Sequence, residues 1–402
     1  MGKRRGVLRQ ASPEVSPEVA EPPPPAVAAP RAVLACYHDA GESEDTGGVL
    51  HGPIAGHPEA PGRVAACVAR LRGRRDLWRA LRKAPRRRAS DEELLLCHDE
   101  VHVSGLDALA RRAAADCKPH FVPTNGRVCM GGPCRDDVQE GHAGADTFIT
   151  AGSLEAARLA AGGALQLVDE VMADDGPSCG LALCRPPGHH ASRNRSQGFC
   201  LLNNVGVAAS YARSRYPEVE RVLIFDWDVH HGQGTQQIFE LDPDVLVVNF
   251  HRHDGHDFYP ATGGASEVGG GPGRGFTVNV TLPQGYGGAA LWAACAAVLL
   301  PAARRFRPQL ILVSAGFDAA AGDPLGGCAV PPRAFGALTA ELRLLAGELC
   351  EGRLAMLLEG GYDPFVLANC VEEVVGALVA EGVEDASAAP EPFAEPPEWL
   401  GG

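Results

Sequence analysis

Five short, largely apolar runs limit what this chain can fold into: residues 180–183 (GLAL), 221–225 (RVLIF), 245–248 (VLVV), 310–313 (LILV) and 354–358 (LAMLL). Each has the length of a strand, and the lack of a two-residue period is the pattern of strands covered on both faces. A further run, residues 32–37 (AVLACY), reads as the first strand. Helix-like stretches lie between and after these runs at 153–173, 289–305, 332–350 and 365–379. Strand followed by helix, repeated this way, predicts an α/β fold: a mostly parallel central sheet with helices on both faces. No internal repeat divides the chain, so a single domain over residues 31–380 is expected. A basic and proline-rich arm at 1–30 and an acidic, proline-rich tail at 381–402 are expected to lie loosely outside it.

Composition excludes some functions and suggests a compartment. A net charge of −14 disfavours direct nucleic-acid binding, because an acidic body repels a phosphate backbone. No uninterrupted apolar run is long enough to cross a membrane. Thirteen cysteines without a CxxC pair, the nearest approach being Cys129 and Cys134, read as thiols of an intracellular protein in cytoplasm or nucleus. An organellar leader stays open as an alternative, although three glutamates within the first 21 residues (Glu14, Glu18, Glu21) count against it. Residues 70–88 hold ten basic side chains, read as a solvated helix–loop face or, alternatively, a localisation or acid-docking patch.

The chemistry sits where open parallel sheets place their ligands, just past the carboxyl ends of buried strands. Four of the runs lead into polar clusters: residues 185–190 (RPPGHH), 226–232 (DWDVHHG), 314–318 (SAGFD) and 359–362 (EGGY). Residues two apart in an extended segment point the same way, so Asp228 and His230 can grip one ion, with Asp318 as a third ligand. Three N/O ligands with an open position describe a catalytic zinc better than a structural one, with Fe(II), Co and Mn as alternatives. His189 and His190 suit general acid–base work, and Asp226 is the natural partner of His189. Tyr362, after two glycines, could donate to an oxyanion, while Phe199 and Tyr259 could form an apolar slot.

These motifs, together with residues 57–63 (HPEAPGR) and Gly198-Phe199-Cys200, resemble the zinc-dependent histone deacetylase family over roughly residues 31–380. Residues 318–328 (DAAAGDPLGGC) are most similar to its class II branch. The resemblance implies an arginase/deacetylase-type fold and hydrolysis of the acetamide of N-ε-acetyl-lysine in histones or other proteins such as tubulin, releasing acetate. It implies Zn2+ on Asp228, His230 and Asp318, with His189 and His190 as the dyad and His190 as general base. Tyr362 would polarise the carbonyl. The channel would be lined by Phe199, Tyr259, Gly198 and Gly361, with Leu325 as gatekeeper where polyamine-specific relatives carry an acid. K+ would lie near Asp226, Asp228, His230, Asn249 and Phe250, mostly on carbonyl oxygens, and Asp146 is placed as a substrate-backbone anchor by spacing alone. The partner implied is an acetylated protein or peptide. Three departures stand out: Gln233 where the family usually has Asp or Asn, Asn249 for serine and Tyr259 for phenylalanine. The first makes the orientation of His190 the point to examine. Competing readings are an acetylpolyamine or other small-molecule deacetylase, a ureohydrolase (disfavoured because Ala320 stands where a second Asp is needed) and a non-catalytic acyl-lysine binder.

Overall fold

The computed structural model describes residue 2 and residues 32–35, 51–52, 54–122, 128–129, 132–133, 146–255 and 257–380. Almost all of the expected arm and all of the expected tail, with Cys134, therefore lie outside the described residues.

Eight parallel strands form the main sheet: β1 (Ala32–Ala35), β2 (Leu81–Lys83), β3 (Cys179–Ala182), β4 (Val222–Asp226), β5 (Val245–Arg252), β6 (Thr277–Leu282), β7 (Leu310–Ala315) and β8 (Leu354–Leu358). Their order across the sheet is β6-β5-β4-β7-β8-β3-β1-β2. The apolar runs became strands because each residue finds a core on its own side. In β7, Ile311 and Val313 enter one buried cluster while Leu310 and Leu312 enter the other. Helices α1 (Gly62–Gly73), α4 (Pro332–Cys350) and α5 (Pro364–Val379) cover the first face, and α2 (Ser153–Val171) and α3 (Asn204–Arg215) the second. Each leucine side chain so buried contributes about 1.5–3 kcal/mol.

Two edge strands escape the sequence pattern. β6 (TVNVTL) alternates apolar and polar residues, and β2 (LRK) is three residues inside the basic run. Charge on an edge strand blocks unwanted pairing, which explains its unpromising composition. The basic run itself is neither a uniform solvated face nor one patch. Arg70 and Arg74 both pair with Glu372 of α5, while Arg82, Arg87 and Arg88 pair with Glu170, Asp169 and Glu155 of α2. The helix expected at 289–305 runs as Gly288–Ala294 and Leu300–Phe306 with a π turn over Cys295–Leu299 between them. Pro301, which has no N–H to give the preceding turn, accounts for the interruption. By length and composition this segment could cross a membrane, yet Leu291, Cys295, Leu299 and Ala303 pack into the sheet's first core.

Candidate active site

The four strands that lead into polar clusters, β4, β7, β8 and β3, are neighbours at the centre of the sheet. Their carboxyl ends therefore bring 226–232, 314–318, 359–362 and 185–190 to one place. Beyond β4 the two-residue alternation continues: Phe225, Trp227 and Val229 point into the core, leaving Asp226, Asp228 and His230 for the other side.

Asp228, His230 and Asp318 converge, each offering one ligand atom within 4.8 Å of the others. His230 Nδ1 lies 3.2 Å from Asp228 Oδ1 and 3.1 Å from Asp318 Oδ2. Backbone amides fix both carboxylates: Gly360 N–H donates to Asp228 Oδ2 and Val229 N–H to Asp318 Oδ1, each at 2.9 Å. A Cβ at Gly360 would stand 2.2 Å from Asp318 Oδ2, so the first glycine of the cluster 359–362 leaves no room for anything larger. Two buried carboxylates facing each other are costly. Burial, and then the charge of Asp228, push the Asp318 carboxyl up to about 7. A divalent cation would relieve that conflict, and the hard N/O donor set fits zinc or a similar ion. The His230 ring is held flat against Phe258 (centroids 4.9 Å apart, 5° between planes), which in turn carries the Arg252 guanidinium 4.1 Å from its centroid.

His189 and His190 lie side by side with ring centroids 3.9 Å apart. His189 Nδ1 is 2.8 Å from Asp226 Oδ2. Burial alone would lower its pKa, but Asp226 and then Asp228 outweigh burial and hold it up at about 10. His190 Nδ1 is 2.6 Å from Gln233 Oε1. An amide oxygen can only accept, so Nδ1 carries the hydrogen and Nε2 is the nitrogen free to exchange a proton. Burial, then the positive charges of His189 and His230, push His190 well below its ordinary value. Gln233 therefore orients the second histidine in the same sense a carboxylate would, without the charge.

Tyr362 is tied at its backbone, N–H to Asp323 Oδ2 at 2.6 Å, and its ring lies against Phe199 (5.7 Å) and under the Arg63 guanidinium (4.9 Å). Burial, and then the charge of Asp318, raise its hydroxyl well above the usual tyrosine range, so it stays a proton donor. Gly361 has φ +111°, a conformation other residues rarely adopt. Phe199 contacts Tyr362 and His57, whereas Tyr259 contacts His190 (5.1 Å) and His230 (6.1 Å), so the two aromatics stand on different sides. Gly198 between them has φ +57°, and a Cβ there would meet His190 Cδ2 at 2.4 Å and Tyr259 Oη at 2.9 Å. Asp146 joins this wall: its carbonyl accepts from His57 Nε2, and neighbouring Thr147 Oγ1 accepts from Phe199 N–H. Leu325 is 37% exposed, and its N–H donates to Asp323 Oδ1 at 2.8 Å. Asn249 pairs in register with Asp226, buried, with neither amide atom bonded among the described residues. The Phe250 ring packs on Phe225 at 4.9 Å, so only its backbone could serve a cation.

Several contributors were given no role from sequence, although Glu59, Arg63, Arg185, Asp323 and Glu359 lie within quoted motifs. Asp323 ties the Leu325 turn to Tyr362 through its two oxygens. Glu359 Oε2 accepts from the N–H of Gly188 and His189, fixing the histidine loop to β8. Glu59, fully buried, holds Arg185 and Arg63, and Arg63 donates to the carbonyls of Glu359 and Gly361. Burial would raise Glu59, but His51 and the two guanidiniums outweigh it and bring the carboxyl down to about 2.

Comparison with known proteins agrees with this geometry. Residues 57–378 match the model of the histone deacetylase domain. The chain belongs to the histone deacetylase family. It is 41% identical over 326 residues to human polyamine deacetylase HDAC10, covering 80% of this chain and 45% of that protein. It is 36% identical over 369 residues to histone deacetylase 5 of Arabidopsis thaliana, covering 87% and 49% respectively. The chain thus spans about half the length of these relatives. The solved HDA15 HD domain superposes with a TM-score of 0.72 at 34% identity, covering 88% of this chain and 89% of that one. Histone deacetylase architecture and the parallel α/β sheet are therefore both in place.

Proposed function

We propose that this protein is a metal-dependent lysine deacetylase that hydrolyses the acetamide of N-ε-acetyl-lysine in a protein or peptide and releases acetate. The observation that carries it is the convergence of Asp228, His230 and Asp318 beside a histidine pair whose free nitrogen is fixed by Gln233. Zinc on those three residues, when bound, supplies Lewis acidity toward the carbonyl and lowers the pKa of water. His190 Nε2 takes the proton of the attacking water. Tyr362 donates its hydroxyl hydrogen to the carbonyl oxygen as charge develops there. The imidazolium pair then returns a proton to the departing lysine amine, with Asp226 stabilising the positive charge on His189. Phe199 and Tyr259, from their two sides, enclose the alkyl chain of the lysine, and Asp146 is placed to hold the substrate backbone. A potassium ion near Asp226 and Asn249 would use the amide left unbonded at Asn249.

Leu325 at the rim favours a peptide over a second cationic amine, since an apolar side chain offers nothing to an ammonium. The competing reading is an acetylpolyamine deacetylase, the activity named for the human relative. Acetate release from acetyl-lysine peptides and from acetylspermidine, with metal analysis on the same sample, separates the two. Faster turnover of the peptides is expected, and Leu325→Glu should shift the preference toward the polyamine. Faster hydrolysis of acetylspermidine by the unaltered protein would overturn the peptide reading. We further infer an intracellular location, in keeping with the ten described free thiols.

A further inference from the structure

At the opposite end of the sheet, below the amino-terminal ends of β4, β5 and β6, lies a cavity of about 780 Å3. Its floor is apolar: Leu246, Phe276, Val278, Ala302 and Phe306 line it, with the two phenylalanine rings edge to face at 5.8 Å. Its mouth carries four guanidiniums, from Arg221, Arg274, Arg305 and Arg307. On a chain of net charge −14 this is an unusual concentration of one sign.

Three of these four charges are also uncommitted. Arg221 is anchored on the carbonyls of Phe306 and Arg307 and lies 3.6 Å from Glu220. Among the described residues, the side chains of Arg274, Arg305 and Arg307 have no hydrogen bond or ion pair. The one carboxylate lining the cavity, Asp244, is taken by Arg213 at 3.2 Å. Guanidiniums left free around an apolar floor match an anion that also carries an apolar body, because arginine forks bind phosphate oxygens in pairs. The volume is within the range of small-molecule sites.

We propose that this cavity is a second ligand site, taking a small organic phosphate with a flat apolar body: rings over Phe276 and Phe306, phosphate among Arg274, Arg305 and Arg307. The site is separate from the candidate metal ligands, which lie past the carboxyl ends of β4 and β7, so the proposal does not depend on the deacetylase reading. The apolar floor, with no polar side chain to read a base or sugar, favours an aryl body over a nucleotide.

Calorimetric titration of the full chain with 1-naphthyl phosphate, inorganic phosphate and 1-naphthol tests this. The aryl phosphate should bind at least ten-fold more tightly than either part alone. Arg274→Ala/Arg305→Ala should weaken it at least ten-fold while acetate release and the melting temperature stay unchanged, since both side chains are exposed. Equal affinity for inorganic phosphate, or binding untouched by the double substitution, would overturn the proposal. So would tighter, arginine-dependent binding of a glutamate-rich peptide containing tryptophan, which would make the cavity a protein-docking surface.

Discussion

Two imidazoles stand side by side in this site, and the walls behind them differ. Asp226, at the end of β4, backs His189 with a charge, while Gln233, at the start of the helix Gln233–Phe239, backs His190 with a neutral amide. The first wall keeps its histidine protonated, and the second leaves its histidine neutral with one nitrogen defined. The difference teaches that orientation and charge are separable: an amide suffices to fix a tautomer, and only the carboxylate also stabilises an imidazolium. In the proposed reaction it makes His190 the base and His189 the electrostatic support.

Substitutions can break or sharpen that contrast. The largest effect is expected from His190→Ala, which should cut kcat about 10²–10⁴-fold while bound metal measured by mass spectrometry is retained. Retained turnover would move the base elsewhere. Asp226→Ala should lower activity severely and also reduce stability, because removing one partner of a buried ion pair costs about 3–5 kcal/mol, read as a fall in melting temperature. Gln233→Leu removes only a neutral acceptor, so a smaller loss of about 1–3 kcal/mol is expected, with the fall in kcat less than that of His190→Ala. Equal damage from Asp226→Ala and Gln233→Leu would erase the distinction. The smallest change belongs to Gln233→Glu. An added carboxylate at His190 Nδ1 favours the protonated ring, so the acidic limb of the kcat/KM profile should move to higher pH. An unmoved limb would mean that His190 does not set it.

Much of this was legible in the sequence. Strands β3, β4, β7 and β8 could be read because burial on both faces leaves them uniformly apolar, and their polar ends mark the crevice. Asp228 and His230 were readable as a pair because extended backbone repeats every two residues. The edge strands were not, since β2 carries charge and β6 alternates like a half-exposed segment. Asp323, Phe258 and Arg252 were hidden for another reason: each acts from a loop or strand end on a residue distant in sequence, through contacts that only the folded chain creates. Gln233 showed up as a departure, but whether it still faced His190 needed the helix that places it.

Acetate release from an acetyl-lysine peptide by the purified chain, before and after chelation and after zinc is returned, tests the central claim most directly. The expected result is turnover that disappears on metal removal and recovers with about one zinc per chain. Turnover indifferent to chelation, or a zinc-loaded protein that binds the peptide and releases no acetate, would contradict it.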